Sequence, residues 1–266
     1  MVMNYAPGSE KNPKLVEQKR ADNENNLEWL LRAFNALKGK EPLAQSYILL
    51  LGGTDTLSWR IRAGQSQLRF DMLPSYWSTS ALLCANAENV DKSKVLHIPL
   101  FQPQGGVFAT ERNGVVESPV SIFKDSEHWK NIALIAFPKA QEDVLNSLPH
   151  FQRGRNYIDA LEHILRWLAF AWGVARTPTP INDGIGLPTA CMLESLYSGA
   201  GMDLTPGLET RASSPEAIWA TASRWYKHFE NNKLKMPKGR FCTPDSYNIN
   251  DGHKKPSGRA NKSTED

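Results

Sequence analysis

Few side chains in this 266-residue sequence are placed to do chemistry. A thiol becomes a nucleophile when a helix N-terminus and a neighbouring imidazole lower its pKa. Of Cys84, Cys191 and Cys242, only Cys191 lies near such a position, in Pro188-Thr189-Ala190-Cys191, where a first-turn proline opens a helix that ends by Gly201. With His97 or His128 as base, Cys191 would be a candidate nucleophile. It sits a turn inside the helix, however, where aliphatic surroundings raise a thiol's pKa and favour an inert, packed cysteine. His163 falls beside the apolar face of another helix and reads as a packed or surface residue. The six histidines show no HExxH or paired spacing and the cysteines no CxxC, so no metal site is expected. Gly52-Gly53-Thr54 and Gly105-Gly106 lack the lysine of a phosphate loop and the spacing of a dinucleotide fingerprint. They read as turns, and no cofactor is expected.

The elements that must hold these residues follow from periodicity. Leu27, Leu30, Leu31, Phe34 and Leu37 recur at helical steps between residues 24 and 38, and Gly39 and Pro42 end that helix. It is a docking element or a cover for the sheet. Tyr47–Leu51, closed by Gly52-Gly53, has the length and bounding of a buried strand. Val95–Leu100, Val107–Thr110, Val115–Phe123 and Ile132–Phe137 are further strand candidates, with Arg112-Asn113-Gly114 as a hairpin turn, whereas Trp59–Arg69 is ambiguous. After Pro138 the period turns helical. Ile158, Leu161, Leu165, Leu168 and Trp172 share one face over 157–172, and Ser214-Pro215 opens another helix. The fold class is therefore α+β, a central, mainly antiparallel sheet flanked by helices. Residues 1–23 read as a flexible lead-in, 24–232 as one domain, and 233–266 as a disordered basic tail.

Charge excludes little. Thirty-one Lys and Arg stand against 28 Asp and Glu, and the excess is local: 233–266 holds eight basic residues and four acidic ones. That density gives no clear nucleic-acid signature. Three widely spaced cysteines fit no disulfide framework, and no segment approaches the roughly 18 apolar residues of a membrane span. A soluble protein of the reducing cytoplasm is the expectation.

Four stretches, in their order, resemble the circularly permuted papain-like proteins of the NlpC and YiiX type. The first runs from Gly64-Gln65-Ser66-Gln67 to Tyr76-Trp77-Ser78-Thr79-Ser80-Ala81-Leu82-Leu83, where the family has Ser-His before apolar residues; Thr79 stands at the histidine. The second, Val107-Phe108-Ala109 with Gly114-Val115, puts Ala109 at the acid. The third is Pro188–Tyr197, including Glu194; counting back eight residues from Tyr197 gives Thr189 at the catalytic cysteine. The fourth pairs Asp203-Leu204-Thr205-Pro206 with Ser214–Trp219. The resemblance covers about residues 46–225 and implies a cleft bordered by Trp77, Ser78, Ala109 and Glu194. With threonine at both reactive positions it implies a pseudoenzyme, a binding or assembly module for a protein or peptide partner, or for an acyl or lipid ligand. A two-residue slip in register would restore Cys191 as the nucleophile of what the resemblance then implies, a hydrolase or acyltransferase acting on amide or thioester bonds. A Cys and a His within hydrogen-bond reach of each other would overturn the pseudoenzyme reading.

Overall fold

A computed structural model describes residues 14–39, 41–86, 90–101, 108–155, 157–231, 233, 235–244, 247 and 249. Seven strands, β1 (Leu15–Glu17), β2 (Ser46–Gly53), β3 (Thr79–Cys84), β4 (Lys94–His97), β5 (Val116–Pro119), β6 (Trp129–Phe137) and β7 (Lys238–Cys242), form one sheet. Their order across it is β1-β7-β6-β2-β3-β4-β5. All pairs are antiparallel except β1 with β7. The helices are α1 (Asn26–Leu37), α2 (Thr56–Gly64), α3 (Gln141–Leu145), α4 (Leu148–Arg153), α5 (Ala160–Trp172), α6 (Pro188–Gly199), α7 (Pro215–Arg224) and α8 (Tyr226–Asn231).

The unbroken apolar run of β2 follows from burial on both faces: every one of its eight residues is buried. Alternate side chains then serve different cores. Tyr47, Leu49 and Leu51 join Leu83 of β3, Leu134 of β6 and Trp29, Leu30 and Phe34 of α1. Ile48 and Leu50 join Leu82, Ile135, Ile61 of α2, Trp167 of α5, Leu193 of α6 and Ile218 of α7. Each such side chain, fully buried, contributes about 1.5–3 kcal/mol, so the sheet is clamped between α1 and the remaining helices. α1 begins at Asn26, two residues inside the expected 24–38 span, because Asn25 accepts from the N–H groups of Leu27 and Glu28 while Glu28 accepts from the Asn25 N–H.

Several expectations change. Residues 238–242, assigned to a solvated tail, form β7, with Gly239 packed on Leu15 and Phe241 against Trp219; the rest of that tail lies largely outside the described residues. Likewise Leu15–Glu17 of the lead-in forms β1. These short segments carry little apolar signal and are ordered by hydrogen bonding to each other and to β6. Trp59–Arg69 resolves into α2 and a 3-10 turn. Thr110 begins another 3-10 turn rather than ending a strand, and Val107 lies outside the described residues. On α5 the buried set is Ala160, His163, Ile164, Trp167, Leu168 and Ala171, while Leu165 and Trp172 are each 58% exposed. Glu162 and Arg166, one turn apart, mark the exposed side, and Leu165 and Trp172 fall on it with them, so the apolar residues extend past the buried stripe. Among the described residues no helix is long and apolar enough to cross a membrane.

Candidate functional site

The sheet parts at one place. β3 pairs with β4 only as far as Leu82 opposite Leu96, whereas β4 continues with β5 to His97 opposite Val116. Alternate residues of a strand direct their N–H and C=O to the same side. Ile98, two residues past Leu96, therefore turns both groups toward β3, from which it has separated. Thr189 fills the vacancy: its Oγ1 accepts from Ile98 N at 2.9 Å and donates to Ile98 O at 3.1 Å. The first turn of α6 is thus tied to the end of β4.

A cavity of about 430 Å³ opens in this split. Its lining draws on the start of α2 (Asp55, Leu57, Ser58, Ile61), the start of β3 (Ser78, Thr79, Ser80), His97–Phe101, Ile122 and Phe123, His128 and Trp129, and Leu187–Thr189. Thr79 and Thr189, the two positions that the resemblance aligns with the catalytic histidine and cysteine, and Ser78 come together here. So do His97 and His128. Trp77, Ala109, Glu194 and Cys191 are not in the lining. Trp77 is fully buried and packs edge-on against Trp219. Ala109 closes the turn into Gly114 through its carbonyl. Glu194 points to the loop beyond α6, accepting from Leu204 N at 3.3 Å and the Thr205 hydroxyl at 2.6 Å.

Cys191 does contact a histidine: its Sγ is 3.7 Å from His163 Nδ1. The contact is not a catalytic pair. His163 Nδ1 lies 2.9 Å from the carbonyl oxygen of Gly186, an acceptor only, so that nitrogen carries the proton and has no lone pair to take one from sulfur. The thiol donates to Arg211 O at 3.1 Å, and both residues are sealed, at 0% and 1% exposure. Burial pushes the Cys191 thiol far up and holds the His163 imidazole below its ordinary value. Such a thiol stays protonated and inert.

The cavity's own polar groups are mostly engaged. Asp55 caps α2 by accepting from Ser58 N at 2.9 Å, and its other oxygen lies 3.6 Å from His128 Nε2. The Ser78 hydroxyl accepts from Gly53 N at 3.1 Å. His97 Nε2 is 3.1 Å from Ser118 Oγ, and burial brings its pKa down to about 4, so it is neutral at pH 7. Along one wall His97, Phe123, Trp129 and His128 make successive edge-to-face contacts, with centroids 5.9, 5.5 and 4.5 Å apart. At the rim, Phe101 meets the exposed Trp172 at 5.9 Å. Asp55 and Ser80 were missed by sequence reasoning. An aspartate before a helical stretch is a readable cap signal, whereas Ser80 acquires meaning only through the parting of β3 and β4.

One consequence can be measured away from the cavity. Burial pushes the Glu194 carboxyl up to about 7, against the Thr205 hydroxyl bond. A carboxyl with a raised folded-state pKa holds its proton where the unfolded chain has lost it, so its contribution falls as pH rises from about 4.5 to about 7. Glu194→Gln removes that term. The unfolding free energy of Glu194→Gln relative to the parent should rise by up to about 1.4 kcal/mol per pH unit across this window, as read from urea titrations; parallel pH profiles would refute the assignment.

Compared with family models, curated proteins and solved structures, the chain matches none.

Proposed function

We propose that this chain is a catalytically degenerate, permuted papain-like protein whose cleft serves as a binding module for the apolar part of a peptide, acyl or lipid partner. The observation that supports this reading is the meeting of Thr79 and Thr189, from opposite halves of the chain, at a single apolar cavity. Neither supplies a base or an acidic nucleophile, and the Thr189 hydroxyl is spent on Ile98. A threonine hydroxyl needs a strong base beside it to attack a carbonyl. What the place retains is shape: a cavity within the size range of small-molecule sites, with walls from Leu57, Ile61, Leu100, Phe101, Ile122 and Phe123.

Leu100→Trp tests the reading. Leu100 lines the cavity from a loop position and is partly exposed, so the larger ring fills the space without displacing the main core. An environment-sensitive apolar dye should bind the parent protein and lose at least about ten-fold in affinity on the variant, the loss of most apolar contact area, with the unfolding midpoint unchanged. Equal dye binding by both proteins, or turnover of an amide or thioester that disappears with Cys191→Ala, would overturn it.

A further inference from the structure

The ligand class can be narrowed from the charges and open hydrogen-bonding groups around the cavity, an argument that rests on the binding reading above. No lysine or arginine is present among the described residues that line it. A carboxylate or phosphate would meet only the partial positive charge of the uncapped α6 start, which is smaller than the cost of bringing a full charge out of water. The one lining carboxylate among the described residues, Asp55, accepts from the α2 N-terminus through one oxygen, and its other oxygen lies 3.6 Å from His128 Nε2. It also offsets the positive end of the α2 dipole, while α6 begins at the same cavity without a side-chain cap, so a bare cation gains little there either.

Among the described residues of the lining, Ser80 Oγ is the polar atom that is shut from solvent and has no hydrogen-bond partner. A buried hydroxyl without a partner is costly to leave so, and a hydroxyl can both donate and accept. Ser80 also lies two residues before Leu82, the last β3 residue paired to β4, so alternation turns its N–H and C=O into the same split. The arrangement is suited to one uncharged donor–acceptor group, with apolar and aromatic walls around it.

We infer that the cavity takes an uncharged, largely apolar molecule carrying a single amide or hydroxyl group, seated on Ser80. The test is a head-group series competed against the dye: octanamide, octan-1-ol, octanoate and octylammonium, with benzene as a probe that has no polar group. Octanamide and octanol should bind at least about ten-fold more tightly than either ion, the cost of bringing an unpaired charge in. Ser80→Ala should weaken octanamide about five-fold, the loss of one hydrogen bond, and leave benzene unchanged; deleting an unpartnered hydroxyl is not expected to harm folding. Ions that bind as well as the neutral probes would overturn this inference while leaving the cleft reading intact. Equal weakening of benzene and octanamide by Ser80→Ala would refute the role of Ser80. If not even benzene binds the parent protein, the cleft reading itself fails and this inference with it.

Discussion

Thr189→Cys combined with Thr79→His should give the protein a thiol that iodoacetamide modifies at pH 6.5 at least about 100-fold faster than Cys191, which should remain unmodified until the chain unfolds. The expectation follows from position. Thr189 lies in the first turn of α6, where the helix dipole favours a thiolate, whereas Cys191 faces the carbonyls of Arg211 and Ser213 inside the core. The change loses the hydrogen bond that Thr189 Oγ1 accepts from Ile98 N and the one it donates to Ile98 O, together about 1–3 kcal/mol, so circular dichroism and an unfolding curve should accompany the labelling. Peptide mapping by mass spectrometry separates the introduced thiol from Cys84 and Cys242. If it reacts no faster than the partly exposed Cys84, Thr79 and Thr189 are not the remnants of a catalytic pair. Rapid labelling of Cys191 in the folded parent would revive the alternative register.

Gly186→Ala should be the most damaging single-methyl change near the site, costing about 3–5 kcal/mol. A Cβ at 186 would lie 1.9 Å from Ser213 O and 2.7 Å from Ala212 C, both backbone atoms that cannot rotate away. The same residue donates its N–H to Arg211 O at 2.7 Å, and its carbonyl accepts from Trp167 Nε1 at 2.8 Å and from His163. Pushing the two segments apart would therefore release α5, α6 and the lead-in to α7 together. Gly184→Ala is the control. It has φ of +68° and nothing within 4 Å, so only the left-handed backbone cost applies, about 1–2 kcal/mol. Urea midpoints compare the two. A Gly186→Ala penalty no larger than that of Gly184→Ala would mean that the contact is slack.

Where a segment's own pattern decided its structure, that structure was legible in the sequence. β2 and β6 are long apolar runs, α1 has a clean stripe, and α6 and α7 begin at prolines. β1 and β7 were not legible, because their order comes from pairing with distant partners rather than from their composition. α5 shows a different limit. Ile164 and Leu165 are adjacent, and either could belong to the core stripe; packing on α6 and α2 selects Ile164, leaving Leu165 and Trp172 outside. Of the site, Thr79, Thr189, His97 and His128 were identified individually as residues of interest. Their shared cavity, and the unpartnered hydroxyl of Ser80 beside it, exist only once β3 and β4 diverge.

The placement of β7 between β1 and β6 has a consequence for biosynthesis. β6 emerges as a finished apolar strand long before residues 238–242 are made. At about 5–20 residues per second, its outer edge stays unpaired for on the order of ten seconds. During that interval the nascent chain displays a bare strand edge able to pair with neighbouring chains. A ribosome stalled before β7 would hold a chain with this edge still open to pairing.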